Sequence, residues 1–511
     1  MSLDRLTTHW HRLDRNTCRA LQGRKLHGYL RDCVLPFSAH YQQVFAQAGL
    51  TADDIRTLDD LQKIPFSTKD QLLPTKENPR RSLDFTLIPD PQVLARRPGV
   101  IWRALTRGRA RTMDELDREW RPTFMTATTG RSTESVAFLY TQHDIANLGI
   151  GSGRIADLGG RTRDDRMLNM FPFAPHLAFW YMYYAGINNN IFALATGGGK
   201  VMGTDGNLRA IQKLRPTVLT AMPTFAYHVL TQAVEEKLRI EGLKCVLLGG
   251  EKVADGTRRK LAALCAQLGS PDVHVVATYG FTEAKLAWAE CPFKPGQTPP
   301  GYHLYPDMGI FEVIDPATGN VLPDGTGGEI VWTPLVQRGT VVIRYRTGDH
   351  IENGLTHEPC PCCGRTMPRL LGKISRVSDF RSLRFQKVKG TFIDFNELEH
   401  ALDDTKGIGS WQIELRKAHD DPLDLDEIHL HVTKNDGVSD DAITTVLNNL
   451  MHAQFEVRPN RIAFHSPEQM RELQKVGVAL KEQRVVDNRP KGTAPPHETA
   501  AVTAELQKSK P

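Results

Sequence analysis

The segment Val341-Val-Ile-Arg344-Tyr345-Arg346-Thr347-Gly348-Asp349-His350 constrains this 511-residue chain more than any other. An apolar run that ends abruptly in Thr-Gly-Asp reads as a buried strand delivering one carboxylate to the rim of a sheet, where α/β folds place their ligands. From Phe124 onward, short apolar stretches alternate with helix-length segments, and Val218–Met222, Cys245–Leu248 and Val273–Val276 are the clearest strand candidates. This alternation predicts parallel β-α units. Past Tyr302 the texture changes to hairpins, with Phe311–Gly319 turning into Gly328–Trp332.

The first seventy residues read as helical from the spacing of Leu6, Trp10, Leu13, Tyr41, Val44 and Phe45. Residues 76–118, rich in Arg and Pro and poor in periodicity, are expected to be an irregular insertion. A smaller α+β domain is expected from Asp379, giving domains at 1–378 and 379–490. The tail at 491–511 is rich in Pro, Lys, Ala and Thr and is expected to be disordered.

Bulk properties exclude several classes. The 64 Lys and Arg against 59 Asp and Glu leave a net charge of +5 spread over the chain, which gives no argument for nucleic acid. The amino terminus lacks an apolar core behind basic residues. No stretch offers about eighteen uninterrupted apolar residues, so a cytoplasmic protein without membrane contact is expected. The eight cysteines are too few for a disulfide scaffold, and Cys18, Cys33, Cys245 and Cys265 read as inert buried thiols.

Cys360-Pro-Cys362-Cys363-Gly364 contains the tight knuckle that lets two thiolates meet one metal. Cys291 and His303 offer a second pair for a closed structural zinc site, with Cys362 an alternative to Cys363 and a set of free thiols the plainer reading. Thr126-Ala-Thr128-Thr129-Gly130-Arg-Ser-Thr133 is a hydroxyl-rich turn suited to phosphate oxygens, although most such turns are merely polar. Gly249-Gly250-Glu251 ends a strand with two glycines that permit close approach to a flat ring.

Taken in order with Tyr279-Gly280-Phe-Thr282-Glu283 and Lys481-Glu-Gln-Arg-Val-Val-Asp487, these segments resemble the phenylacetate-CoA ligase-like branch of the adenylate-forming (ANL) superfamily. The resemblance implies a large multi-sheet N-terminal adenylation domain and a small C-terminal domain rotating about a hinge at Asp379. It further implies ATP and coenzyme A as reactants, magnesium, and a small carboxylic acid that the aromatic stretch Phe171–Tyr181 and the Gly197-Gly-Gly199 turn suggest is aryl or otherwise apolar.

Residue roles carried by the resemblance are as follows. Thr128, Thr129 and Gly130 cradle phosphate, whereas Ala127, Arg131 and Ser132 depart from the family's S-S-G-T-T-G-K-P-T. Gly250, Glu251, Tyr279 and Gly280 line adenine, Thr282 meets phosphate, Glu283 holds magnesium and Asp349 takes the ribose. Arg376 stands one place early for the linker arginine, where Val377 occupies the usual position. Lys389 and Gly390 match an Arg-Gly that faces the thiol, and Lys481 is the catalytic lysine, with Lys475 as fallback. Related ligases also carry a Cys, a Gly-Leu-His and a Cys-Pro-Cys-Gly-Arg-Thr, matched here by Cys291, Gly301-Tyr-His303 and Cys360 to Thr366. A carrier protein or amine in place of coenzyme A, a homodimer, and a degenerate relative without turnover remain open.

Overall fold

A computed structural model of the chain describes residues 9–128, 135–294, 297–376, 387–388, 391–392, 395–418, 426–435, 437–455, 457–479 and 482–489. Thr129, Gly130, Asp379, Lys389, Gly390 and Lys481 lie outside these residues, and for Arg376 it is the backbone that is described. The chain divides into two compact units, 1–381 with 476–480, and 382–475 with 481–511.

The first unit begins with helices α1 (Arg15–Tyr29) and α2 (Ala39–Ala48). Asp14 and Ser38 cap them by accepting from the backbone N–H of Thr17 and Tyr41. The stretch read as irregular is helical from residue 91 on: α3 (Pro91–Ala95), α4 (Pro98–Arg107) and α5 (Arg109–Trp120). Pro91 and Pro98 stand at helix starts, where a missing N–H costs nothing. Pairs such as Arg111–Glu115 and Asp114–Arg118 sit four residues apart on the helix surface. Thr112, Leu116 and Trp120 recur at a helical spacing and are buried, a period that the Arg-rich composition of the stretch conceals.

The hairpin β1 (Pro122–Ala127) and β2 (Ala137–Thr141) leads into α6 (Gln142–Leu158). There follow β3 (Arg166–Asn169), α7 (Leu177–Asn188), β4 (Phe192–Ala195), α8 (Gly199–Leu214), β5 (Val218–Ala221), α9 (Pro223–Glu235), β6 (Cys245–Leu248), α10 (Asp255–Gln267) and β7 (His274–Phe281). With β8 (Leu286–Ala289), β9 (Tyr302–His303) and the later β13 (Leu355–Thr356) and β14 (Arg369–Leu370), these strands form a nine-stranded sheet in the order 13-14-9-8-7-6-5-3-4. Pairing is parallel from β7 to β4 and antiparallel beyond. Every residue of β5 and β6 is buried, as strands covered on both faces require.

A second sheet of β10 (Gly309–Ile314), β11 (Gly328–Pro334), β12 (Tyr345–Ile351) and β15 (Ile374–Arg376) is antiparallel throughout. Trp288 of β8 joins it to the first through edge contacts with Phe311 of β10 and Trp332 of β11, at ring-centroid distances of 4.7 and 5.1 Å.

Two strand expectations need correcting. Val341 to Ile343 are buried but lie outside any strand, and Thr347-Gly348-Asp349 sits within β12 rather than at its end. The cause is Arg344, whose backbone turns to φ 52° so that its guanidinium can reach Glu312 at 3.0 Å in the interior. The backbone of Val341 and Ile343 is satisfied instead by the Phe85 carbonyl and the Tyr41 hydroxyl. The strand expected at Val273–Val276 continues to Phe281, changing partner halfway: His274 to Ala277 pair with β6, Thr278 to Phe281 with β8.

The second unit holds a short hairpin, β16 (Lys387–Val388) with β17 (Thr391–Phe392), and the helix α11 (Phe395–Asp404). Strands β18 (Ile408–Lys417), β19 (Asp426–Lys434), β20 (Arg461–Phe464) and β21 (Val485–Asp487) form its main sheet, in the order 20-19-18-21. Helices α12 (Asp440–Phe455) and α13 (Pro467–Leu473) complete it. Its own core gathers Phe395, Leu398, Trp411, Leu430 and Leu447. Arg484 stacks on Trp411 at 3.8 Å and pairs with Asp403.

Deep in the first unit the ammonium of Lys285 donates to the Leu139 carbonyl at 2.6 Å, to Asp144 at 2.9 Å and to the Arg338 carbonyl at 2.9 Å. Burial lowers its pKa while Asp144 opposes the shift. Lys285→Met leaves the buried Asp144 uncompensated and is expected to cost about 3–5 kcal/mol. Urea unfolding checks this, and adding Asp144→Asn should recover part of the loss.

Candidate active site

The parallel strands β3 to β7 end on one side of the sheet, where open α/β folds bind ligands. After β6 the chain turns through Gly249 and Gly250, and Glu251 accepts hydrogen bonds from the Thr224 N–H at 3.1 Å and hydroxyl at 3.0 Å. Thr224 opens α9 behind β5, so one carboxylate ties two strand-end loops together. Thr224 was not singled out in the sequence, and its only signal is its place just after an apolar strand.

Tyr279, Gly280, Thr282 and Glu283 lie on β7 and the single turn that follows it. Gly280 is dictated by packing, because a Cβ there would stand 2.8 Å from that of Ala287 on β8. The Tyr279 hydroxyl donates to Asp349 at 2.9 Å, and the Tyr345 hydroxyl donates to Glu283 at 2.8 Å. Two motifs separated by more than sixty residues are thus joined by two phenol-to-carboxylate hydrogen bonds. Both carboxylates are buried, which is costly without such donors. Tyr345 received no role from the sequence, although it stands in the run that named Asp349.

Arg344 and Arg346, weighed in the sequence as alternative partners of Asp349, pair with Glu312 and Glu329 instead. Arg376 lies directly across from Asp349 in the β12–β15 ladder. Thr128 is buried at the loop end of the β1–β2 hairpin, where its hydroxyl accepts from the Val136 N–H at 3.0 Å. His176 meets the neighbouring Ala127 carbonyl at 2.9 Å.

The aromatic stretch divides between core and surface. Phe171, Phe179 and Tyr181 are buried, whereas Phe173 stands exposed against Phe179 and Trp180 at 5.2 and 5.8 Å. The turn at Gly197 and Gly198, both at positive φ, runs beside Phe173, and a Cβ on Gly197 would lie 3.2 Å from that of Phe173.

On the far side of the same sheet, Cys291, His303, Cys360 and Cys363 bring their ligand atoms within 4.8 Å of one another. Cys291 and Cys360 sulfurs are 3.7 Å apart, close to the edge of about 3.8 Å that a tetrahedron with zinc–sulfur bonds of about 2.3 Å would have. Cys362 lies outside this group. Hydrogen bonds from Cys291, then Cys363, pull the Cys360 thiol down, helped by the N–H groups of Cys363 and Cys362, while Cys291 is pushed up. The donor set and spacing fit a closed tetrahedral site.

Residues 137–339 match the AMP-binding enzyme family. Phenylacetate-coenzyme A ligase of Pseudomonas putida is 26% identical over 400 residues, covering 77% of each chain. That of Thermus thermophilus is 27% identical over 399 residues, covering 75% of each. In three dimensions the chain resembles a 2-hydroxyisobutyryl-CoA ligase, captured in the postadenylation state, at a TM-score of 0.70 and 20% identity, covering 98% of this chain and 94% of that one. This last likeness speaks for the fold alone.

Over residues 137–339 the chain is thus similar to the AMP-binding enzymes, and its fold is similar to that of the 2-hydroxyisobutyryl-CoA ligase. Over about three quarters of its length it is similar to phenylacetate-coenzyme A ligases.

Replacing Tyr345 by Phe removes the hydroxyl that Glu283 accepts from and is expected to cost about 1.5–3 kcal/mol of folding stability, measured by urea unfolding.

Proposed function

We propose that the chain joins a small apolar carboxylic acid to coenzyme A in two steps, first adenylating the acid with ATP and then transferring the acyl group to the thiol. The observation that carries this reading is the pair of hydrogen bonds Tyr279–Asp349 and Tyr345–Glu283, which assembles two motifs of the resemblance into one buried site.

In the first step the acid's carboxylate attacks the α-phosphate, forming a C–O–P anhydride as the bond to pyrophosphate breaks. The protein supplies position and charge rather than covalent chemistry. Asp349, its Oδ2 already oriented by Tyr279, accepts from the ribose hydroxyls. The ring of Tyr279 and the Gly250–Glu251 turn flank the adenine. Thr282 and the turn from Thr128 to Gly130 meet phosphate oxygens.

Glu283, held by Tyr345, is the ligand for magnesium, which when bound neutralises phosphate charge. Lys481 stabilises the charge on the α-phosphate and carboxylate. The acid lies against Phe173 and Trp180 beside the Gly197 turn, where an apolar group, aryl or otherwise, finds dry contact. The second step follows rotation of the domain 379–490 about Asp379, with Lys389 and Gly390 facing the thiol.

Cys291, His303, Cys360 and Cys363 hold a structural zinc in this reading. Among the described residues no helix is long and apolar enough to cross a membrane, which accords with a cytoplasmic enzyme of small-molecule substrates. A second copy of the chain completes the partners.

Acid-dependent exchange of labelled pyrophosphate into ATP, screened over aryl, fatty and amino acids, tests the first step. Exchange is expected with an apolar acid, and Lys481→Ala should abolish it, whereas retained exchange would move the role to Lys475. Thioester formation on adding coenzyme A tests the second step, and exchange without a thioester would point to a carrier protein or amine as acceptor. Metal analysis of the purified chain should find about one zinc per chain, lost in Cys360→Ser, and less than about half an equivalent would count against the four-ligand site.

A further inference from the structure

Helix α4 carries its apolar stripe on the outside. Pro98, Ile101, Trp102 and Leu105 fall at the i, i+3, i+4, i+7 spacing of a single helix face. None of the four is buried, and Ile101 is 46%, Trp102 68% and Leu105 78% exposed. Val100 is the one residue of α4 that the core takes. A surface helix ordinarily turns such a stripe inward and its polar side to water. Here charge ties the other side of the helix to its neighbour: Arg103 and Arg107 of α4 and Arg111 of α5 all reach the carboxylate of Glu115, at 3.7, 3.4 and 3.5 Å.

The surroundings of the stripe are cationic. From Pro91 to Met113 the chain has six arginines and no Asp or Glu. Three guanidiniums on the single carboxylate of Glu115 leave positive charge in excess. The other acids of α5, Asp114, Asp117 and Glu119, are already paired with Arg118, Arg121 and Arg338. Arg97 is turned onto the Phe37 ring. Arg96, just before α4, and Arg109, just after it, are exposed and have no ion-pair partner among the described residues. An unmatched cation thus stands at each end of the apolar stripe.

This combination selects what can cover it. A neutral apolar surface would satisfy the stripe and leave the arginines unmatched, and a small anion would do the opposite. An anionic lipid surface satisfies both: isoleucine and leucine enter the acyl boundary, the indole sits at headgroup level, and guanidiniums on long stems meet lipid phosphates. The stripe also lies on a helix that keeps all but one residue out of the core, a protruding shape suited to a flat, fluid surface. A protein partner would have to bring a groove lined with acids. An interfacial helix needs one apolar face and no spanning segment, so the lack of a membrane-crossing helix among the described residues does not oppose it.

We infer that the outer face of α4, with Arg96 and Arg109 at its ends, binds this protein reversibly to an anionic lipid surface. None of these residues is among those assigned to the nucleotide, the acid or the metal.

Co-sedimentation of the full chain with lipid vesicles tests this. The chain is expected to bind phosphatidylcholine vesicles containing about a quarter phosphatidylglycerol at least about tenfold more tightly than phosphatidylcholine alone, and to be released as salt is raised. Binding should shift tryptophan emission to the blue, a shift that Trp102→Phe removes. Trp102→Glu/Leu105→Glu should lower partitioning by about 100-fold or more, and Arg96→Ala/Arg109→Ala by about 25-fold, both with an unchanged circular dichroism spectrum. Phe192→Glu/Leu194→Glu, an exposed apolar pair on β4, should bind as the natural chain does. Failure of the natural chain to bind the vesicles overturns the proposal, as does equal binding to neutral and anionic vesicles or binding that the α4 variants retain. Uptake of an acidic amphipathic peptide without vesicle binding overturns it in favour of a protein partner.

Discussion

The ammonium of Lys285 is the interaction on which the arrangement of the site depends. Its acceptors come from three places in the chain: the second strand of the β1–β2 hairpin, the start of α6, and the segment that leads into the Thr-Gly-Asp strand. Lys285 itself follows Glu283 by two residues. One buried cation therefore sets the spacing between the hairpin, β7 and β12. Burying a charge is expensive, and three hydrogen bonds together with an equally buried carboxylate offset that cost. Asp144 is in turn held by the N–H groups of Thr141 and Arg338, so the pair is embedded in backbone and leaves little room for adjustment.

The α/β class, the parallel strands and the late hairpins were legible in the sequence because periodicity reports which faces are buried. The motif residues were legible through resemblance. Pairings across long separations were not. Nothing local to Tyr345 says that its hydroxyl finds Glu283, and nothing in the Lys285 neighbourhood announces a buried ammonium, since charged residues are read by default as surface. The helices at 91–120 were missed for a related reason. Their buried stripe, Thr112, Leu116 and Trp120 at four-residue spacing, is outnumbered by arginines and by exposed apolar residues such as Trp102 and Leu105. The cysteine group was half legible: the knuckle fixes Cys360, but only the fold selects Cys363 over Cys362.

The placement of that group also explains why so irregular a stretch as 357–368 holds its form. Cys360 meets Cys291 across the sheet, while Thr366 reaches back to the carbonyls of His11 and Leu13 before the first helix. Arg154, buried against Trp10 and bidentate to Asp307, anchors the same amino-terminal segment from the other side. The start of the chain and the cysteine segment thus form one brace behind the sheet.

The change of partner in the middle of β7 has a consequence for how this scaffold can diversify. Its first half belongs to the parallel layer and its second half to the antiparallel one, with Gly280 pressed against Ala287 at the junction. A side chain added at Gly280 would press on the Ala287 methyl and the Leu286 carbonyl, in the segment that also carries Tyr279 and Glu283. This part of β7 is therefore closed to gradual change. Variation meets less resistance at positions such as Phe173, which is 59% exposed.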